Sequence, residues 1–177
     1  MDKKAIIRIS VFYVIGISLS NIFRFDLLKL HDKKEVLSLF ELLLTSPLGA
    51  IGLLIGALVS LRLLRKEKNL SYSLFGTSIK WSLMMLVTPI LLLGIFGVNN
   101  ESGSNIHYYG LIGGIGTFIY CFCEEIGWRG YLQDELKSIK EWQRVLIIGF
   151  LWYLWHLSFI SNQNFIDNIQ FLGYMIL

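Results

Sequence analysis

About five apolar segments long enough to cross roughly 30 Å of hydrocarbon, and the start of a sixth, leave this chain few ways to fold. The five lie near 5–23, 43–61, 80–98, 108–126 and 142–160. The stretch 165–177 begins another, at about thirteen residues marginal for a full crossing. Inside lipid each backbone N–H and C=O has to find a partner, so runs of this length are expected to be helical. The predicted fold is all-α: a multispanning transmembrane helical bundle of about five to six membrane helices, one integral membrane domain over 1–177. Composition agrees. Of the 177 residues, 54% are hydrophobic and 16% charged, with a mean hydropathy of +0.59, whereas roughly a quarter of a soluble domain is charged. The net charge of +3 is small, and no basic stripe with interleaved aromatics suggests nucleic acid. Membrane lipids are the expected surroundings; the oligomeric state is not legible.

Small residues mark where helices are expected to approach closely. Gly49, Gly52 and Gly56 follow Pro47 in the second segment, and Gly110-Leu-Ile-Gly-Gly-Ile-Gly116 opens the fourth. Pro89 is expected to kink the third. The segment 70–80 reads as a short interfacial amphipathic helix. The N-terminus has the outline of a signal peptide, with Ser18-Leu-Ser20 as a small-x-small site. A first membrane helix is preferred, because the apolar run continues past Ser20 and further segments follow. Cys121 and Cys123, two apart, point to different faces of a helix and are read as free thiols. Lysines and arginines orient the bundle. With the N-terminus in the cytoplasm, the clusters at 3–8, 62–80 and 129–144 are inside. The loop 99–107, which has no lysine or arginine, is then outside, as are Arg24, Lys29, Lys33 and Lys34. This places the end of the fourth segment, with its two glutamates, near the cytoplasmic face.

Those glutamates carry the strongest chemical signal: Tyr120-Cys-Phe-Cys-Glu-Glu-Ile-Gly-Trp-Arg-Gly-Tyr-Leu132, after a run from Tyr109 without charge. Ionisable groups at membrane depth are costly and usually face a cavity or a partner. On a helix Glu125 and Arg129 are four apart and close enough to pair. Glu124 is rotated about 100° away and faces a different environment. A carboxylate in a poorly solvated cavity holds a proton more tightly than one in water, which suits a general base near neutral pH. The next apolar segment carries Trp152-Tyr-Leu-Trp-His156, where Trp152 and His156 share a face. Trp155, Tyr153 and Phe159 are expected to surround the imidazole. A helix-end ion pair explains Glu125 and Arg129 without any function, and a lone histidine among aromatics is usually structural. Neither reading accounts for the second carboxylate beside a histidine-bearing helix.

Glu124-Glu125-x-x-x-Arg129, followed by aromatic-x-x-x-His156 in the next helix, resembles the CPBP family of intramembrane proteases. This family includes the CAAX prenyl endopeptidases and the bacteriocin-processing and immunity-type (Abi) proteins. The resemblance implies an intramembrane endopeptidase of the bacterial plasma membrane, acting on a peptide or prenylated-protein substrate. It implies Glu124 as the base that activates water, His156 as the residue that holds that water, and Glu125 with Arg129 as an orienting pair. Trp152 stands where the family usually has phenylalanine. The family's third motif, His-x-x-x-Asn or His-x-x-x-Asp, does not follow His156. The expectation is therefore a C-terminally truncated or naturally impaired form, with Ser161, Asn162, Gln163, Asn164 and Asn168 as the remaining amide and hydroxyl donors. Two carboxylates and one histidine fall short of a full zinc ligand set, so no cofactor is expected, with a divalent metal such as zinc as the alternative. A non-enzymatic membrane protein of bacteriocin immunity or accessory type is the competing function.

Overall fold

The computed structural model describes residues 2–25, 27, 43, 47–64, 78–160 and 164–176. These residues form six helices and no strand, as expected for a helical bundle. Helix α1 is Lys3–Arg24. Helix α2 is Leu48–Val59, prolonged by a widened π turn over Ser60–Leu64. Helix α3 is Ile79–Phe96. Helix α4 is Ile106–Glu125, prolonged through π geometry over Ile126–Leu132 to Gln133–Glu135. Helix α5 is Glu141–Ile160 and α6 is Phe165–Ile176. Among the described residues, α1, α3 and the continuous Ile106–Glu135 are long and apolar enough to cross a membrane, and Leu48–Leu64 is a shorter apolar helix. The expected interfacial helix at 70–80 lies outside the described residues, except that Ser78 caps α3 and the helix runs on unbroken through Pro89.

With lipid as solvent, helix association depends on close packing rather than on hiding oily surface from water. The expected small-residue contacts are present. A Cβ added to Gly52 would lie 2.6 Å from the Gly16 carbonyl and 2.7 Å from the Ser20 backbone nitrogen. One added to Gly56 would lie 2.7 Å from the Phe12 carbonyl. Helices α1 and α2 therefore touch backbone to backbone. The fourth segment does the same with α3: Gly110 rests on the Leu93 carbonyl and Gly114 on Ile90.

Helix α1 runs antiparallel to α4. At one end Arg8 donates from Nε and Nη2 to Glu135 Oε2, at 3.0 and 2.8 Å. In the middle Phe12 meets Trp128 edge-on at 5.7 Å and Tyr131 at 5.1 Å. At the other end Arg24 reaches Tyr120 and Trp155. Phe12, Leu53, Trp128, Tyr131 and Leu132 are all fully buried where α1, α2 and α4 meet.

This core extends one expectation. The apolar pattern ended the fourth segment at the glutamate pair. In the fold, Gly127, Trp128, Tyr131 and Leu132 continue the buried seam after the pair, so the helix goes on to Glu135. Glu124 lies about 16 Å along the axis from that end, nearer the middle of α4 than its terminus.

Candidate active site

Helix α4 delivers Glu124 to the inside of the bundle, where the residue is 8% exposed. Helix α5 delivers His156, and Glu124 Oε1 lies 3.9 Å from His156 Nε2. The imidazole is oriented from its other side: its Nδ1–H donates to the Trp152 carbonyl at 3.0 Å. With the proton on Nδ1, Nε2 presents its lone pair toward Glu124. Trp152 and His156 thus share a face as the spacing predicted, and the backbone of one residue sets the tautomer of the other. Among the described residues Glu124 Oε1 is buried without a hydrogen-bond partner. A buried acceptor in that condition is expensive unless something polar is to occupy the site.

Aromatic rings wall the imidazole. Trp155 meets it edge-on at 4.8 Å, Phe171 of α6 lies at 5.2 Å and Trp152 at 6.4 Å. The expected Trp155 contact is present. Tyr153 packs on Phe171 instead, at 6.3 Å, and the side chain of Phe159 is outside the described ones.

Glu125 and Arg129 pair at 2.6 Å, as the four-residue spacing predicted. Their side chains are 43% and 61% exposed, so the pair lies outside the Glu124–His156 site. The Arg129 guanidinium reaches 5.3 Å above the Trp152 ring, which ties this pair to the wall of the histidine. Cys121 is exposed and Cys123 buried, both as free thiols.

Three residues near the site escaped sequence reasoning. Phe171 was read only as part of an apolar run. Tyr120, one turn before Glu124 on the same helix, accepts from Arg24 Nη2 at 3.4 Å. Arg24 was read as a loop charge on the outer side. It closes α1, donates from Nη1 to the Trp155 carbonyl at 2.7 Å, and lies within electrostatic reach of Glu124. The signal that marked Arg24 was its place as the one charge ending the uncharged run 9–23.

A catalytic zinc takes three protein ligands. Glu124 and His156 supply two, and among the described residues no group of three or more His, Cys, Asp or Glu side chains is placed to hold a metal. Of the remaining donor candidates, Asn164 Oδ1 accepts from the Asp167 backbone N–H and Asn168 Nδ2 donates to the Asn164 carbonyl. Both serve the start of α6. Ser161, Asn162 and Gln163 are outside the described residues.

The family model of type II CAAX prenyl endopeptidases, Rce1-like, matches residues 109–177. The similarity covers these 69 of the 177 residues. The match holds all four motif residues and runs from α4 to α6, leaving α1, α2 and α3 outside it. The resemblance read from the motifs is borne out over these residues. Neither the curated proteins nor the solved structures returned a match. The Rce1-like part together with the long apolar helices supports a protease-type protein located in a membrane.

Proposed function

We propose that this protein is an intramembrane endopeptidase in which Glu124 and His156 activate water to hydrolyse a peptide bond. The observation that carries the reading is the buried, unpartnered Glu124 Oε1 facing His156 Nε2 at 3.9 Å. That separation is too long for a direct hydrogen bond, and a single water donating one proton to each atom fits it. Such a water keeps an oxygen lone pair for attack. The oxygen adds to the scissile carbonyl carbon while Glu124 takes one proton and His156 Nε2 holds the other in place. When the tetrahedral intermediate collapses, the C–N bond breaks and the proton on Glu124 passes to the leaving nitrogen. Glu124 thus acts first as base and then as acid. Glu125 and Arg129 hold the motif turn against Trp152. The Rce1-like match favours a peptide or prenylated-protein substrate presented at the membrane. The proposed chemistry needs no metal.

The test is cleavage of a panel of prenylated and unprenylated peptides in detergent. Glu124→Gln is expected to abolish turnover, and His156→Gln, which loosens the hold on the water, to lower it by about 100-fold, the usual cost of misplacing a reacting group by about 1 Å. Both variants should melt close to the parent. Full turnover by Glu124→Gln would sink the assignment. Exhaustive chelation should leave the rate unchanged; loss on chelation, with recovery on adding one equivalent of a divalent ion, would require a metal mechanism in its place.

A further inference from the structure

Arg24 lies outside the Rce1-like part, on a helix that carries none of the motif residues, yet it contacts both helices that do. Its Nη1 donates to the Trp155 carbonyl at 2.7 Å, one residue before His156. Its Nη2 reaches the Tyr120 hydroxyl at 3.4 Å, one helical turn before Glu124. Its Cζ lies 3.4 Å above the Trp155 ring, so the guanidinium plane is stacked as well as hydrogen-bonded. These contacts join residues 96 and 131 positions apart in the chain. Arginine is well suited to bridging them, because its planar fork presents donors in two directions at once and its weakly hydrated cation tolerates an aromatic, partly buried setting. The same charge lies within reach of the Glu124 carboxylate, which offsets the cost of holding an anion there.

We infer that Arg24 is a positioning residue for the proposed reaction, clamping α4 to α5 so that Glu124 and His156 keep their facing geometry. The inference rests on the protease reading for its kinetic consequence and on geometry alone for its structural one. A displacement of the order of 1 Å between reacting groups costs about 100-fold in rate. Loss of the clamp therefore acts on kcat, with KM little changed.

The experiment uses the full 177-residue chain in one detergent, as parent, Arg24→Gln, Arg24→Lys and Tyr120→Phe. Two quantities are read. The first is kcat and KM on a peptide that the parent cleaves. The second is the distance distribution between spin labels at Tyr108→Cys on α4 and Phe150→Cys on α5, both exposed positions, in a background without Cys121 and Cys123. In Arg24→Gln we expect kcat to fall by about 10- to 100-fold with KM within about threefold, and the distance distribution to broaden. Arg24→Lys keeps the charge but cannot span both acceptors, so its kcat should stay well below the parent's. Unchanged kcat or an unchanged distance distribution in Arg24→Gln overturns the clamp, and parent-like kcat in Arg24→Lys overturns the two-armed form of it. If Arg24→Gln does not fold, Tyr120→Phe, which removes one arm and keeps the ring, is read by the same two criteria. If the parent cleaves nothing, the proposed function falls and the clamp is judged on distances alone: broadening upholds it, and no change overturns it.

Discussion

Two neighbouring glutamates meet opposite fates because a helix turns about 100° per residue. Glu125 faces outward and pairs with Arg129 at 2.6 Å, both side chains well exposed. Exposed pairs of this kind contribute at most about 1 kcal/mol. Glu125→Gln should therefore lower stability by less than about 1 kcal/mol in detergent-phase unfolding; a larger loss would mean that the Arg129 contact with Trp152 depends on the pair. Glu124 faces inward, where no residue of its own helix supplies a cation. The cation within electrostatic reach of it, Arg24, comes from α1. The division of labour between the glutamates was legible from their spacing. The identity of that cation was not, because no local pattern links position 24 to position 124.

At the scale of the helices, glycine decides which elements touch. Gly52 has backbone from α1 where a side chain would otherwise be, whereas a Cβ at Gly173 would have nothing within 4 Å. Gly52→Val should separate α1 from α2 and cost about 1–3 kcal/mol, the usual penalty for overpacking. Gly173→Ala should be tolerated. Melting of the two variants beside the parent checks this, and equal stability would show that the α1–α2 contact adjusts freely. Element boundaries were less legible than contacts. The apolar run stopped at the glutamates, but the helix did not, since Trp128, Tyr131 and Leu132 remain fully buried beyond them. Hydropathy reads the charge on Glu124, Glu125 and Arg129 as an ending; burial on the other face of the same turns carries the helix through.

For the whole molecule, the antiparallel seam between α1 and α4 ties the helix beyond Glu124 to the first helix. Arg8 and Glu135 bind its far end, where the Glu135 side chain is 2% exposed. A hydrogen bond to a charged group contributes about 1.5–3 kcal/mol. Arg8→Gln should lose an amount in that range, and Arg8→Lys less; no change in unfolding would mean that Glu135 is held by its other neighbours. Orientation is a separate prediction, from the distribution of lysine and arginine. Ser102 and Lys137 flank α4, whose 30 residues separate them by about 45 Å. In intact cells an impermeant thiol reagent should modify Ser102→Cys, and Lys137→Cys only after permeabilisation. The reverse pattern would invert the bundle.

The sequence by itself determined that the chain is helical and lipid-adapted, that small residues would join its helices, and that Glu125 would pair with Arg129 while Glu124 faced a different environment. All of these follow from composition, helical period or short spacings, which act within a few residues of each other. Only the tertiary structure decided that Glu124 and His156 face each other at 3.9 Å, that Tyr120 and Phe171 border them, and that Arg24 reaches in from the first helix. Those contacts depend on how far helices slide along one another and where they cross. Crossing is governed by backbone approach at glycines far from the site, so no segment of sequence near Glu124 contains it.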